Sequence, residues 1–166
     1  MSRISRLVIL VSLVVLVFAL PATALAYKQI FYARLTTGAE LHQVVGSSAA
    51  GNATVITGPD ATRFGITIRN LSGPPSGVHI HAPATPIQNA PVLITLCGAP
   101  PPAAIATCSY DSGTLSIQGE ITSSLLAQSG VTGAQFMQYL NDGLAYINVH
   151  TALNPAGEVR GQIVPQ

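Results

Sequence analysis

Three of the four histidines in the chain lie in strand-like segments, where they could act together. Val78-His-Ile-His81 contains two of them, and residues two apart on a strand point to the same side of a sheet. His150 lies in a second strand pattern near the C-terminus. Three neutral imidazoles that meet on one face would suit copper or zinc. The residue types therefore predict a metal site on His79, His81 and His150, for which His42 is a candidate fourth ligand.

The C-terminal residues predict a hairpin that brings more polar groups to the same face. Tyr146, Asn148 and His150 alternate with apolar residues in its first strand, and Glu158 and Arg160 do so in its second. A tight turn between the strands would place His150 opposite Glu158 and Asn148 opposite Arg160. The sequence thus also predicts a hydrogen-bonded polar network, with the other two histidines packed beside it.

A half-buried Arg160 in such a network needs a carboxylate to offset its desolvation, and Glu158 or Glu40 could provide one. The same side chains therefore have two interpretations, a structural network and a metal site. The candidate binding residues are Glu40, His79, His81, Tyr146, Asn148, His150, Glu158 and Arg160.

Residues 1–26 have the pattern of an export signal. Arg3 and Arg6 precede an apolar run over residues 7–20, and Ala24-Leu-Ala26 fits a cleavage site. The run is shorter than the ~20 residues that a membrane-spanning helix needs. The sequence predicts a signal-peptide helix over residues 1–26 and a single mature domain over residues 27–166. The expected location is secreted or periplasmic (cell envelope), with no membrane attachment after cleavage.

The charge balance excludes some classes of partner. The chain has seven basic and six acidic side chains, and cleavage of the leader would remove two of the arginines. The mature part is then close to neutral and has no basic cluster of the kind that binds nucleic acid. There is no tryptophan, so large stacking platforms are scarce.

Two cysteines, Cys97 and Cys108, flank a proline-rich segment. In an exported protein, a lone pair at this spacing predicts a disulfide bond that closes the segment into a loop. A redox-active pair is disfavoured, because there is no Cys-x-x-Cys spacing and no basic residue near either thiol in the sequence.

Short β-branched segments separated by turn residues predict an all-β domain. Residues 62–71 are the clearest example, because Phe64, Ile66 and Ile68 alternate with small or polar residues. The spacing of such segments favours an antiparallel, Greek-key-like β-sandwich. Further strands are expected at residues 29–35, 53–56, 78–81, 92–96, 113–121, 144–150 and 158–164.

One or two short helices are expected between the strands. Thr132-Gly-Ala-Gln135 has the spacing of a capping box, and Phe136 and Leu140 would form the apolar stripe of the helix that follows. Residues 123–127 predict a second short helical turn.

These elements, in this order, resemble the CHRD (chordin-type) domain family, and in particular its stand-alone, exported, bacterial-type members. The resemblance implies a β-sandwich in an extracellular setting and implies no catalytic activity. The segments that carry it are Phe31-Tyr-Ala-Arg-Leu-Thr-Thr-Gly-Ala-Glu40, Gly51-Asn-Ala-Thr54, Ile68-Arg-Asn-Leu-Ser-Gly73, Val78-His-Ile-His-Ala-Pro83, Gly143-Leu-Ala-Tyr-Ile-Asn-Val-His-Thr151 and Asn154-Pro-Ala-Gly-Glu-Val-Arg-Gly-Gln-Ile163.

The expected function is that of a non-catalytic binding or structural module without a resident cofactor. The chain has no Gly-x-Ser-x-Gly nucleophile motif, which disfavours a hydrolase. The expected partner is an extracellular protein or glycan, and the expected state is a monomer. The alternative is a copper- or zinc-binding protein, because the His-x-His strand is similar to that of the copper-zinc superoxide dismutases. Asn52 and Asn70 begin glycosylation sequons.

Overall fold

The computed structural model describes residues 28–99 and 104–166. About half of these residues lie in strands, two short helices interrupt the strands, and a single turn of 3₁₀ helix spans Thr37–Ala39. The strands are β1 (Gln29–Thr36), β2 (Ala50–Thr57), β3 (Ala61–Arg69), β4 (Pro75–His81), β5 (Val92–Gly98), β6 (Ser109–Asp111), β7 (Thr114–Thr122), β8 (Ala145–Thr151) and β9 (Val159–Pro165). The helices are α1 (Ser123–Gln128) and α2 (Gly133–Asn141).

The strands form one curled sheet in the order β5-β4-β8-β9-β1-β2-β3-β7-β6. Every hydrogen-bonded pair of neighbouring strands in it is antiparallel. The pairing of β1 with β9 joins the two halves of the predicted sandwich, because it links the first strand to the last. The all-β, antiparallel prediction is therefore confirmed, with the strands continuous around one core.

Alternating side chains build that core. Phe64, Ile66 and Ile68 of β3 are buried, as the pattern of residues 62–71 predicts. Phe136 and Leu140 of α2 are also buried. The buried apolar residues of the sheet and helices form a single cluster, so one apolar core holds the two halves of the sheet together.

Both predicted helices are present. The side chain of Thr132 accepts from the backbone N–H of Gln135, and the side chain of Gln135 accepts in return from the backbone N–H of Thr132. This is the predicted capping box, and it satisfies N–H groups that have no partner within the helix. The second helix, α1, begins after Thr122, whose hydroxyl accepts from the backbone N–H of Leu125.

The central strands β4 and β8 are covered on both faces. Val78 and Ile80 of β4 and Ile147 and Val149 of β8 face the apolar core. The alternate residues of these strands and of β9 face a second, polar layer, which the connecting loops cover. We call this the polar layer; it is made by His79, His81, Tyr146, Asn148, His150 and Arg160, and all but the half-buried His150 are buried.

Two further expectations have an outcome in the structure. Cys97 and Cys108 form the predicted disulfide bond. The three-residue strand β6 was not expected, because Ser109–Asp111 is too short to show an alternating pattern.

Within the described residues, no helix has the length and apolar character needed to cross a membrane. The predicted signal peptide over residues 1–26 lies outside the described residues.

Candidate metal centre

The register of β4 and β8 brings three histidines together. His79 pairs with Asn148 and His81 with Tyr146, while His150 lies opposite Gly77 at the end of the same strands. One ring nitrogen from each of His79, His81 and His150 belongs to a group whose atoms all lie within 4.8 Å of one another. The predicted convergence of the three histidines is therefore present, and we call this group the histidine triad. His42, the candidate fourth ligand, is not part of this group.

Each ring of the triad also contacts a backbone carbonyl. His79 Nε2 lies 2.7 Å from Ala99 O, His81 Nδ1 lies 2.8 Å from Ala90 O, and His150 Nδ1 lies 3.1 Å from Pro155 O. A carbonyl oxygen can only accept, so in each pair the ring nitrogen must carry the proton and donate. These contacts fix the tautomer and the orientation of all three rings.

The other nitrogen of each neutral ring then carries a lone pair. These atoms are His79 Nδ1, His81 Nε2 and His150 Nε2, and each is buried without a hydrogen-bond partner among the described residues. A buried polar atom without a partner is rare in folded proteins and calls for an explanation. Rings that donate one N–H to a carbonyl and direct the other nitrogen at a common point are typical of metal ligands.

Burial keeps the three rings neutral. It lowers the pKa of His79 to about 4, since a charged ring would be desolvated, and the bond to Ala99 opposes this effect only in part. Burial also lowers the pKa of His81 and of His150. At neutral pH the three rings therefore present lone pairs rather than protons.

Metal binding would draw the three nitrogens closer together. A zinc–imidazole bond of about 2.0–2.1 Å sets separations of roughly 3.3–3.6 Å between ligand nitrogens. The nitrogens of the triad lie within 4.8 Å of one another, so the widest separation would shrink by roughly 1 Å. Gly77 leaves room for the His79 ring, because a Cβ at that position would lie 2.7 Å from its Cε1 atom.

Tyr146 and Arg160 form a stack beside the triad. The Tyr146 ring lies parallel to the His81 ring, with 4.8 Å between centroids and 3° between planes. The Arg160 Cζ atom lies 3.5 Å from the centroid of the same Tyr146 ring. This arrangement gives the buried guanidinium a cation–π contact and packs it against the histidine side of the sheet.

Arg160 also anchors the loop that carries Ala90. Its guanidinium donates to Asn89 Oδ1 at 2.9 Å, to Gln88 O at 2.7 Å and to Thr85 O at 3.3 Å. Of the two carboxylates expected to offset the charge of Arg160, Glu40 interacts with it electrostatically, but no carboxylate of the described residues lies within 4.0 Å of it. The carbonyl oxygens of a loop take that place, and a side-chain pattern in the sequence cannot reveal them.

Glu40, Asn148 and His42 meet next to Arg160 at Gly157. A Cβ on Gly157 would lie 2.6 Å from both Glu40 Oε1 and Asn148 Oδ1. The side chain of Glu40 is 2% exposed, and burial raises its pKa to about 6, although His42, Arg160 and Asn148 each act to lower it. His42 contacts Gly157 and Glu40 and not the triad. Its Nε2 lies 3.0 Å from Gly157 O, and its Nδ1 lies 3.8 Å from Glu40 Oε2. The predicted register of Asn148 with Arg160 is confirmed.

The predicted pairing of His150 with Glu158 is wrong. The Glu158 carboxylate accepts from the hydroxyls of Ser47, Ser72 and Thr151 and from the backbone N–H of Ser72. Thr151 follows His150 and points to the opposite side of β8, so Glu158 lies on the far side of the strand from the triad. The pairing is irregular at this end of the hairpin, because the Glu158 N–H donates to Val149 O although Val149 pairs with Val159.

The comparisons with known proteins support one family assignment. The family model of the CHRD domain matches residues 31–163, which include every residue of the polar layer. Neither the curated proteins nor the solved structures gave a match.

Proposed function

We propose that this chain, which belongs to the CHRD domain family, is an extracellular-type binding module. On this proposal it holds one copper or zinc ion on His79, His81 and His150. The observation that carries the proposal is the set of three buried lone pairs on His79 Nδ1, His81 Nε2 and His150 Nε2. A water-free network would satisfy these atoms with donors, whereas a metal ion satisfies all three at once.

The identity of the ligand atoms supports copper or zinc. Imidazole nitrogen suits both ions, whereas calcium and magnesium prefer oxygen ligands. The carbonyls of Ala90, Ala99 and Pro155 act as the outer partners that orient metal-bound imidazoles in proteins. These three loops therefore belong to the proposed site, as do the two strands, β4 and β8, that carry the histidines.

A purely structural role for the polar layer is the second candidate. It is favoured by Arg160 and Tyr146, which have buried partners without any metal. On this proposal the triad would only pack beside them, and added metal would leave the stability of the protein unchanged.

We propose that the module binds and does not catalyse. The hydroxyls of Ser47 and Ser72 donate to the Glu158 carboxylate, and these bonds lower the pKa of Glu158, so it is a weak general base for either hydroxyl. The family and the disulfide bond are of an extracellular type. We infer export by the signal peptide over residues 1–26, and a monomer that meets an extracellular protein or glycan rather than nucleic acid.

The test is thermal unfolding of protein purified without chelator or nickel resin, with and without added copper or zinc. A ligand that binds only the folded state raises the melting temperature. We expect such a rise in the natural protein and none in the His79→Gln/His81→Gln double variant. His42→Gln is the matched control and should keep the rise, because His42 lies outside the triad. Equal melting curves with and without metal would leave the structural role.

A further inference from the structure

The triad offers a metal ion no negative charge. The group consists of three imidazoles, and no thiolate or carboxylate of the described residues belongs to it. Neutral ligands leave the full charge on the ion, which is two for zinc and cupric copper and one for cuprous copper. His79 and His81 are 3% and 7% exposed, His150 is half-buried, and the free nitrogens of all three rings are buried, so that charge would sit away from water.

Burial costs a divalent ion more free energy than a monovalent ion. The cost of moving an ion from water into a low-dielectric interior rises with the square of its charge, so it is about fourfold larger for a divalent ion than for a monovalent ion of similar size. A carboxylate or thiolate ligand would offset the difference, and the triad has neither.

The nearest fixed positive charge adds to this difference. Arg160 is 1% exposed, and its guanidinium packs on the Tyr146 ring, which itself stacks on His81. The Glu40 carboxyl group interacts electrostatically with Arg160 and also with His42. Glu40 does not belong to the triad, so it supplies no negatively charged ligand to a divalent ion there.

The number of ligands favours the same ion. Zinc held by three histidines completes its coordination with a water or substrate, and cupric copper prefers tetragonal geometry. The free ring nitrogens of the triad are buried, which keeps water from a fourth position. Cuprous copper is satisfied by three ligands. His42, the remaining histidine, faces Gly157 O and Glu40 instead of the triad.

We propose, on the basis of the proposed metal-binding function, that the triad is a site for monovalent copper and that Arg160 is the residue that determines this preference. Arg160 touches no ligand atom; it acts through its charge across the Tyr146 ring. Its effect is therefore expected on the ratio of affinities for different ions, and not only on the amount of folded protein.

The test compares dissociation constants for three ions. Cuprous affinity is measured anaerobically with ascorbate and a competing cuprous chelator, and zinc and cupric affinities are measured with chelators suited to those ions. We expect the cuprous constant of the natural protein to be the lowest by at least about tenfold. Tighter binding of zinc or cupric copper would overturn this inference and leave the proposed function standing. Failure of all three ions to bind would overturn both.

Variants of Arg160 test the role of its charge. Arg160→Gln and Arg160→Lys both lose the planar fork that holds the loop, but only Arg160→Gln loses the charge. We expect the preference for cuprous copper over zinc to fall by about tenfold in Arg160→Gln and to persist in Arg160→Lys. Arg34→Gln, an exposed charge on β1, is the control and should change nothing. An equal preference in all four proteins would remove Arg160 as the determinant.

Discussion

At the scale of single residues, two buried groups of opposite kind lie on the two sides of β8. The Glu158 carboxylate accepts from three hydroxyls and one backbone N–H, so its hydrogen-bonding capacity is filled from within the chain. The triad nitrogens have no such partners among the described residues. A filled group fixes structure, whereas buried lone pairs without partners suit a ligand from outside.

Glu158→Gln tests the structural side of this contrast. Burial raises the pKa of Glu158, but the bonds from Ser47, Ser72 and Thr151 together outweigh burial and lower it. An amide in the same place accepts fewer of these bonds and is uncharged, so we expect the free energy of unfolding to fall by about 2–3 kcal/mol. Urea denaturation measures the change.

Glu120→Gln is the matched control for that experiment. The Glu120 carboxylate pairs with Arg63 at 2.7 Å, but the two side chains are 50% and 74% exposed. An exposed pair of this kind contributes only about 0.2–1 kcal/mol. If both substitutions changed the stability equally, the hydroxyl bonds to Glu158 would not be the stabilising feature that we describe.

The residue types predicted the triad but not the backbone carbonyls that orient its rings. The shared face of His79 and His81 followed from strand alternation, and the register of Asn148 with Arg160 followed from the predicted turn between the last two strands. The acceptors that fix the rings are carbonyls of Ala90, Ala99 and Pro155. Every residue has a backbone carbonyl, so these contacts cannot be predicted from residue types.

At the scale of elements, the polar layer depends on loops that close over β4, β8 and β9. The turn between β8 and β9 is one of them, and Gly157 lies at its end with φ +135°. Its missing side chain lets Glu40 and Asn148 approach the backbone closely. The turn was predicted from its sequence, but the irregular pairing at residue 158 was not. Because of it, the prediction put Glu158 on the same face as the triad, whereas the structure has it on the opposite face.

Gly157→Ala tests the importance of this close approach. A Cβ there would lie 2.6 Å from Glu40 Oε1 and Asn148 Oδ1, and the backbone angle is unfavourable for alanine. We expect the free energy of unfolding to fall by about 1–3 kcal/mol. Gly65→Ala is the control, because nothing lies within 4 Å of its Cβ position on β3. A Gly157→Ala protein as stable as the Gly65→Ala protein would show that the contact has no cost.

At the scale of the whole molecule, one sheet separates an apolar core from a polar layer. The strand pattern predicted the apolar side well, because alternation reports which residues are buried together. The closure of the sheet by β1 and β9 joins residues far apart in sequence, and the local pattern carries no signal for such a pairing. Burial of the polar layer makes the stability of the whole chain depend on pH.

We expect the metal-free protein to lose stability between pH 7 and pH 4.5. The unfolded chain protonates its histidines below about pH 6.5, whereas burial lowers the pKa of His79 in the folded chain to about 4 and those of His81 and His150 in the same direction. The unfolded state therefore binds more protons in this window, and stability rises with pH.

Glu40 opposes this effect. Burial raises its pKa to about 6, so its contribution to stability is fully present below pH 4.5 and is lost as the pH rises through 6. Three histidines oppose one glutamate, and we expect a net loss of stability at pH 4.5 relative to pH 7. Urea denaturation in the presence of a chelator measures it. His79→Gln should flatten the profile, and a natural protein with equal stability at both pH values would contradict the burial of neutral rings.

The most direct test of the central claim is the metal content of the protein after exposure to copper and removal of loosely held ions by gel filtration. Elemental analysis should find about one ion per chain in the natural protein and in His42→Gln, since three ligands converge on one point. It should find almost none in His79→Gln/His81→Gln. A natural protein that emerges without metal, while folded, would contradict the account and leave the triad as part of a structural layer.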